Sequence, residues 1–409
     1  MVYAVLEWTC TIVALVAFSY RWATVSRSRP DPARIALTFY FLFSFLSFFV
    51  GLDAIWPYLA AFFHTPNITI ILSHSAVIVL TAAQQVVLIY WARPPELARP
   101  IATRRVAAFG VVLIAMIAVF FSVLPTQRHG TSETSSLLNM TNKYFAAYLV
   151  LFTVAAAVGQ VVTLRMSWAY SRVTDHTWLR RSMLTVAAGA LCILVYSAMR
   201  LAEVVGTNLG ADMTPWNPIE WLAGDIGSLL ELLGLTAPGW GPALSATRRW
   251  LVDYVRYQRL RPLWEALHRA TPEIALETPR SRLADLVLVR NLDHLLYRRV
   301  IEILDGRRSL RPYLEPGGAE STGDDEASEA AQVRRALHIK AEGRPPLADP
   351  AHDHTLLSGD SLTNEVKRLA ALAKAFRRTA TITEATGGNE LMEDSGHGSG
   401  HGNRLTGES

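Results

Sequence analysis

The chain has 409 residues, 51% of them hydrophobic and only 18% charged, with a mean hydropathy of +0.22. That balance excludes an ordinary soluble globular protein. The formal charge of +4 is not a nucleic-acid footprint, because up to Leu244 there are 15 Lys/Arg against 11 Asp/Glu and beyond it 24 against 24.

The apolar part comes first. Seven runs are each near the roughly 20 residues that cross about 30 Å of hydrocarbon as a helix. They fall at about Val2–Tyr20, Ile35–Leu59, Thr69–Trp91, Val106–Leu124, Tyr144–Met166, Met183–Val205 and Trp221–Leu244. The second and last are longer than a crossing needs, which leaves their ends loose. The first lacks a basic residue ahead of it, and its end, AFSYRW, lacks the small-residue pattern of a cleavable signal peptide. Cys10 and Cys192 both lie inside these runs, so they suggest neither a disulfide framework nor a zinc site.

Loop charge sets an expected orientation. Arg21, Arg27, Arg29 and Arg34 follow the first run, and Arg93, Arg99, Arg104 and Arg105 follow the third. Arg165, Arg172, Arg180 and Arg181 follow the fifth, and Arg248 and Arg249 the last; the opposite face has only Arg128 and Lys143. The positive-inside rule then predicts a plasma-membrane protein with its N-terminus outside and its C-terminus cytoplasmic. Trp8, Trp56, Trp91, Trp216, Trp221 and Trp240 near the run ends suit the headgroup layer. Small residues in AAAVG (Ala155–Gly159) and AAGA (Ala187–Ala190) suit close helix approach.

Ionisable groups within the runs carry the most information. Glu7, Asp53, His74, Arg200, Glu203, Asp225 and Glu231 stand out, with Gln84 and Gln85 deep in the third run. A lone charge at that depth costs a few kcal/mol, so such groups turn inward and find partners. Arg200 and Glu203, three apart, share a helix face, and Asp53, Asp225 and Glu231 are placed to complete a network around Arg200. Two readings stay open: an outward-facing polar pocket built from Asp53, His74, Arg200, Glu203, Asp225 and Glu231, or a structural network that fixes helix packing.

Trp221–Trp264 is the junction between the two halves, and past Leu244 the pattern becomes that of soluble amphipathic helices. Ala246–Leu260 suits a helix leaving along the anionic inner leaflet, and Pro262 fits the first turn of a separate short helix ended by Thr271-Pro272. From about Leu283 to Leu310, Val289, Leu292, Leu296, Val300 and Ile303 form an apolar stripe. Opposite it, Arg290, Asp293, Arg298, Arg299, Glu302 and Asp305 read as a solvated charged face, or alternatively as a partner-binding surface at Arg298, Arg299 and Glu302. Further helices are expected at Ala327–Lys340 and from Ser361 to Phe376, where Leu362, Val366, Leu369, Ala373 and Phe376 form a stripe. The expected fold is all-α: a seven-transmembrane-helix bundle (1–244), a small helical cytoplasmic domain (245–379) and a disordered tail (380–409).

Enzyme signatures are absent: no GxxxxGK[ST], no GxGxxG after a strand, no HExxH, and no kinase or serine-hydrolase elbow. His352 with His354 and His397 with His401 lie in linker and tail without supporting residues, so neither a metal site nor any cofactor is expected.

The blocks PLWEALHRATPEIALETP, LLYRRVIEILDGRRSLRPY, AAQVRRALHIKAEGRPP and NEVKRLAALAKAFRR resemble a family of actinobacterial multi-span membrane proteins labelled as transporters. Its C-terminal cytoplasmic domain is of unknown function, and the likeness covers essentially the whole chain. It rests on the Leu-Trp of the first block, the Arg-Arg-Val-Ile-Glu-Ile of the second and the Ala-Lys-Ala-Phe of the last. The resemblance implies seven spans and a helical cytoplasmic domain, offers no catalytic residues, and hints at a regulator as cytoplasmic partner. The expected role is a non-enzymatic sensor or signalling scaffold, in contact with the lipid bilayer, a small ligand and a cytoplasmic protein but no nucleic acid. The rival is a small-solute transporter regulated by its cytoplasmic domain.

Overall fold

A computed structural model describes residues 2–25, 31–65, 67–123, 138–211, 213–275, 291–314, 326–347 and 364–378. The chain divides into two compact units, Met1–Ala243 and Leu244–Ser409, and among the described residues no strand is present.

The first unit holds α1 (Val2–Val25), α2 (Pro32–Gly51), α3 (Trp56–Phe63), α4 (Ile68–Ala92), α5 (Pro95–Val123), α6 (Lys143–Val173), α7 (Thr177–Asn208) and the start of α8 (Asn217–Ala270). Five helices, α2, α4, α5, α6 and α7, are long and apolar enough to cross a membrane. α1 and α8 are not among those five; the opening of α8 is diluted by Asp225, Glu231 and several Gly and Pro residues. Outer faces are apolar, with Val16, Val111, Ile114, Val158 and Leu191 more than half exposed, as suits helices whose solvent is lipid.

Local chemistry sets the helix ends. Asp31 caps α2, its Oδ1 accepting from the Ala33 N–H at 3.0 Å with Pro32 in the first turn, and Asn142 caps α6 in the same way through the Tyr144 N–H at 3.0 Å. The expected run Ile35–Leu59 is two helices rather than one. α2 stops at Gly51, Leu52 is extended, residues 53–55 turn, and α3 starts afresh at Trp56. A continuous helix would need an N–H from Pro57 to the Asp53 carbonyl, which proline lacks. In the other direction, α5, α6 and α7 overrun their apolar runs, because hydropathy marks the lipid slab and not the end of the helix.

α7 and α8 meet at glycines. A Cβ on Gly189 would lie 2.7 Å from the Gly227 carbonyl oxygen, and one on Gly227 would lie 2.9 Å from the Gly189 carbonyl oxygen. Nearby, Ser182 Oγ donates to the Gly234 carbonyl at 2.6 Å. Such backbone approach is the packing that small residues allow in membranes.

In the second unit the later turns of α8 pack with α9 (Leu292–Leu310), α10 (Glu326–Ala341) and α11 (residues 364–378). Leu260, Leu263, Leu267, Val300, Ile303, Ala336 and Leu369 are at most 1% exposed and form its core. The stripes Leu292–Leu296–Val300–Ile303 and Val366–Leu369–Ala373–Phe376 are buried there. Arg307 of α9 pairs with Glu329 of α10, and burial pulls the Arg307 guanidinium below its usual pKa. Arg334 of α10 donates to the Phe376 carbonyl and lies over the Phe376 ring, 4.5 Å from its centroid.

Pro262 does not begin a new helix, since α8 runs through it to Ala270. An interior proline costs about 3 kcal/mol. Burying Leu260, Leu263, Trp264 and Leu267 around it returns about 1.5–3 kcal/mol each, so the helix persists. Arg27, Arg29, Arg128, Val289, the four histidines at 352, 354, 397 and 401, Leu362 and the tail 380–409 lie outside the described residues.

Candidate functional site

Inside the first unit is a cavity of about 570 Å³. Four helices each turn one stripe towards it. α2 presents Tyr40, Ser44, Ser47 and Phe48; α4 presents Ile70, Ser73, His74 and Val77; α7 presents Ile193, Tyr196, Ser197 and Arg200; α8 presents Trp221, Asp225, Ser228 and Glu231. Spacings of three and four put each set on a single helix face. Glu7 of α1, Trp56 of α3, and Phe152 and Thr153 of α6 complete much of the wall.

The strongest electrostatic feature lies at Arg200, which is 5% exposed. Its Nη1 donates to Glu203 Oε2 at 2.7 Å, so the three-residue spacing does form the local pair. A second carboxylate, Glu220 at the start of α8, places Oε1 3.3 Å from the same nitrogen, too poorly aligned for a hydrogen bond, so that contact is ionic. Both glutamates are 2% exposed. The guanidinium is therefore shared between two acids and fastens α7 to α8. Sequence reading missed Glu220 because it sits one residue ahead of the apolar run that begins at Trp221.

His74 lines the cavity but is engaged sideways. Its Nδ1 is 2.9 Å from the Tyr148 hydroxyl, and its ring stacks on Phe152 at 3.8 Å with a 9° interplanar angle. Asp225, 7% exposed, has no cation within ion-pair distance among the described residues, although its backbone carbonyl accepts from Cys10 Sγ at 3.8 Å. Glu231 is the most enclosed acid, 1% exposed. Gln84 and Gln160 approach it from α4 and α6, yet its Oε1 has no hydrogen-bond partner. Thr153 Oγ1, 1% exposed on the same wall, is also unpartnered.

Of the six residues expected in one membrane network, Arg200, His74, Asp225 and Glu231 face one cavity, and Glu203 is joined to it through Arg200. Asp53 is not brought in: it is exposed, in the turn between α2 and α3. The aromatic share of the wall (Tyr40, Phe48, Trp56, Phe152, Tyr196 and Trp221) was not legible, because aromatic residues in an apolar run give no sign of which face they take.

In the second unit, Arg298, Arg299 and Glu302 do not form a solvated face. Arg299 is 6% and Glu302 2% exposed. The Arg299 guanidinium lies over the Tyr257 ring at 3.7 Å and the Trp264 ring at 4.9 Å, and Nη1 donates to the Tyr257 carbonyl at 3.2 Å. Glu302 accepts from Trp264 Nε1 at 2.7 Å and from Arg298 Nε at 2.8 Å. Charge on a stripe next to the apolar one turned inward because aromatic rings and an indole N–H on α8 receive it.

Residues 249–379 match a family of unknown function, DUF6545. No curated protein and no solved structure matches the chain.

Proposed function

We propose that the chain is an integral plasma-membrane protein that binds a small ligand in the cavity of its first unit and relays that state to a cytoplasmic protein partner. The observation that carries this reading is the cavity itself, whose wall holds a fully buried carboxylate with an unpartnered oxygen. A cavity of this volume walled by aromatic rings with a few buried polar side chains is the form that a small-molecule site takes. Seven crossings are part of the proposal, α1 and the opening of α8 joining the five helices of sufficient length and hydropathy. So is an N-terminus outside and a C-terminus in the cytoplasm, from the arginine-rich loops.

α8 is the element that supports a relay. Trp221, Asp225 and Glu231 of that helix line the cavity, and Leu260, Leu263 and Leu267 of the same helix lie in the core of the second unit. Transport is the second reading, favoured by the large cavity and by the resemblance to proteins labelled as transporters.

The test uses the full-length chain and its Glu231→Gln variant at matched membrane levels, with in-cell crosslinking and mass spectrometry beside solute accumulation. A protein captured by residues 249–379 whose yield changes with Glu231→Gln supports sensing. Unchanged capture with altered solute accumulation supports transport, and no change in either refutes the role given to the cavity.

A further inference from the structure

We infer that the cavity takes an organic cation, a small molecule bearing an ammonium group. The inference rests on the reading of the cavity as a ligand site and names the ligand's class. The sign of charge comes first. Asp225 and Glu231 line the wall, whereas the lining guanidinium, Arg200, is held by Glu203 and Glu220. An anion would meet these acids with no uncommitted arginine to receive it.

The second observation concerns the most enclosed of these acids. Glu231, 1% exposed, keeps an oxygen without a hydrogen-bond partner on this wall. Gln84 and Gln160 stand beside that carboxylate, and an ammonium group in the cavity would supply the positive charge that neither amide carries. The third is the remaining wall. Tyr40, Trp56, Phe152, Tyr196 and Trp221 supply aromatic rings, the surfaces that attract ammonium groups.

Size separates an organic cation from a bare metal ion. About 570 Å³ is the volume of a small-molecule pocket, within the usual range of roughly 300–1,000 Å³. Among the described residues no three His, Cys, Asp or Glu side chains converge as metal ligands would. Spread-out acids between aromatic faces suit a bulkier cation whose charge and hydrocarbon parts are both satisfied.

The test is calorimetric titration of the full chain in nanodiscs, with empty nanodiscs as the blank. The probes are benzyltrimethylammonium, its uncharged carbon analogue neopentylbenzene, and the anion phenylmethanesulfonate. The inference expects binding of the cation alone, weakened about 30-fold or more in the Asp225→Asn/Glu231→Gln double variant. The three probes are compared on the unaltered chain, so the result stands even if that variant fails to fold. Binding of the uncharged or anionic probe in place of the cation overturns the inference and leaves the cavity a ligand site. Heat from none of the three overturns the inference and the ligand reading together.

Discussion

Arg200 is buried between two glutamates, and the cost of that burial sets what its loss should do. Arg200→Leu would leave Glu203 and Glu220 facing each other at 2% exposure without their cation. Removing one partner of a buried ion group costs about 3–5 kcal/mol, so the variant should lose its monodisperse peak at a clearly lower temperature in heated size-exclusion profiles. Glu231→Gln differs, since it keeps the side-chain shape while replacing a buried carboxyl group whose Oε1 has no hydrogen-bond partner. Its thermal profile should match or exceed that of the parent. In the second unit, Trp264→Phe deletes the indole donor to Glu302 and should cost about 1.5–3 kcal/mol by chemical denaturation, because the acceptor is charged and buried.

At this scale the sequence showed which groups are expensive but not always where they point. Arg200 with Glu203 was legible from spacing alone, and His74, Asp225 and Glu231 from their depth in apolar runs. Glu220 was not, because it falls just outside a run, and its partner is brought close only by the packing of α7 on α8. Arg299 and Glu302 were not, because a charged stripe looks the same whether water or an aromatic ring covers it.

Among the elements, the contact between α7 and α8 does most to shape the cavity, since Arg200, Tyr196, Asp225 and Glu231 all come from these two helices. Gly227 and Gly189 set that spacing, each lying against the other's carbonyl oxygen. Backbone cannot step aside as a side-chain tip can. Gly227→Ala should therefore cost about 1–3 kcal/mol through overpacking, read as a lower melting temperature. Gly239→Ala, where an added Cβ meets nothing within 4 Å, should leave it unchanged or raised. The small-residue segment Ala187–Ala190 announced this contact in the sequence, though not its partner. Hydropathy found the apolar cores of the membrane helices but missed the break at residues 52–55 and the helical continuation of α5 through Pro100. It reports lipid contact, whereas helix ends follow hydrogen bonding and proline.

For the molecule as a whole, charge and composition divide the chain near residue 244, the position at which it divides into its two compact units. The first unit gathers His74, Arg200, Asp225 and Glu231 around a cavity, and the second unit has its own core of α8, α9, α10 and α11 residues. If the cavity admits a small ligand from outside the cell, Ser228 on its wall is within reach of a reagent added to intact cells. In a chain with Cys10→Ala and Cys192→Ala, Ser228→Cys would be exposed on intact cells to a membrane-impermeant trimethylammonium methanethiosulfonate. Leu235→Cys, fully buried and off the cavity wall, is the control. A cavity open to the outside predicts modification of Ser228→Cys without permeabilisation and none of Leu235→Cys. A Ser228→Cys chain that folds yet stays unmodified, or reacts only after permeabilisation, would contradict it.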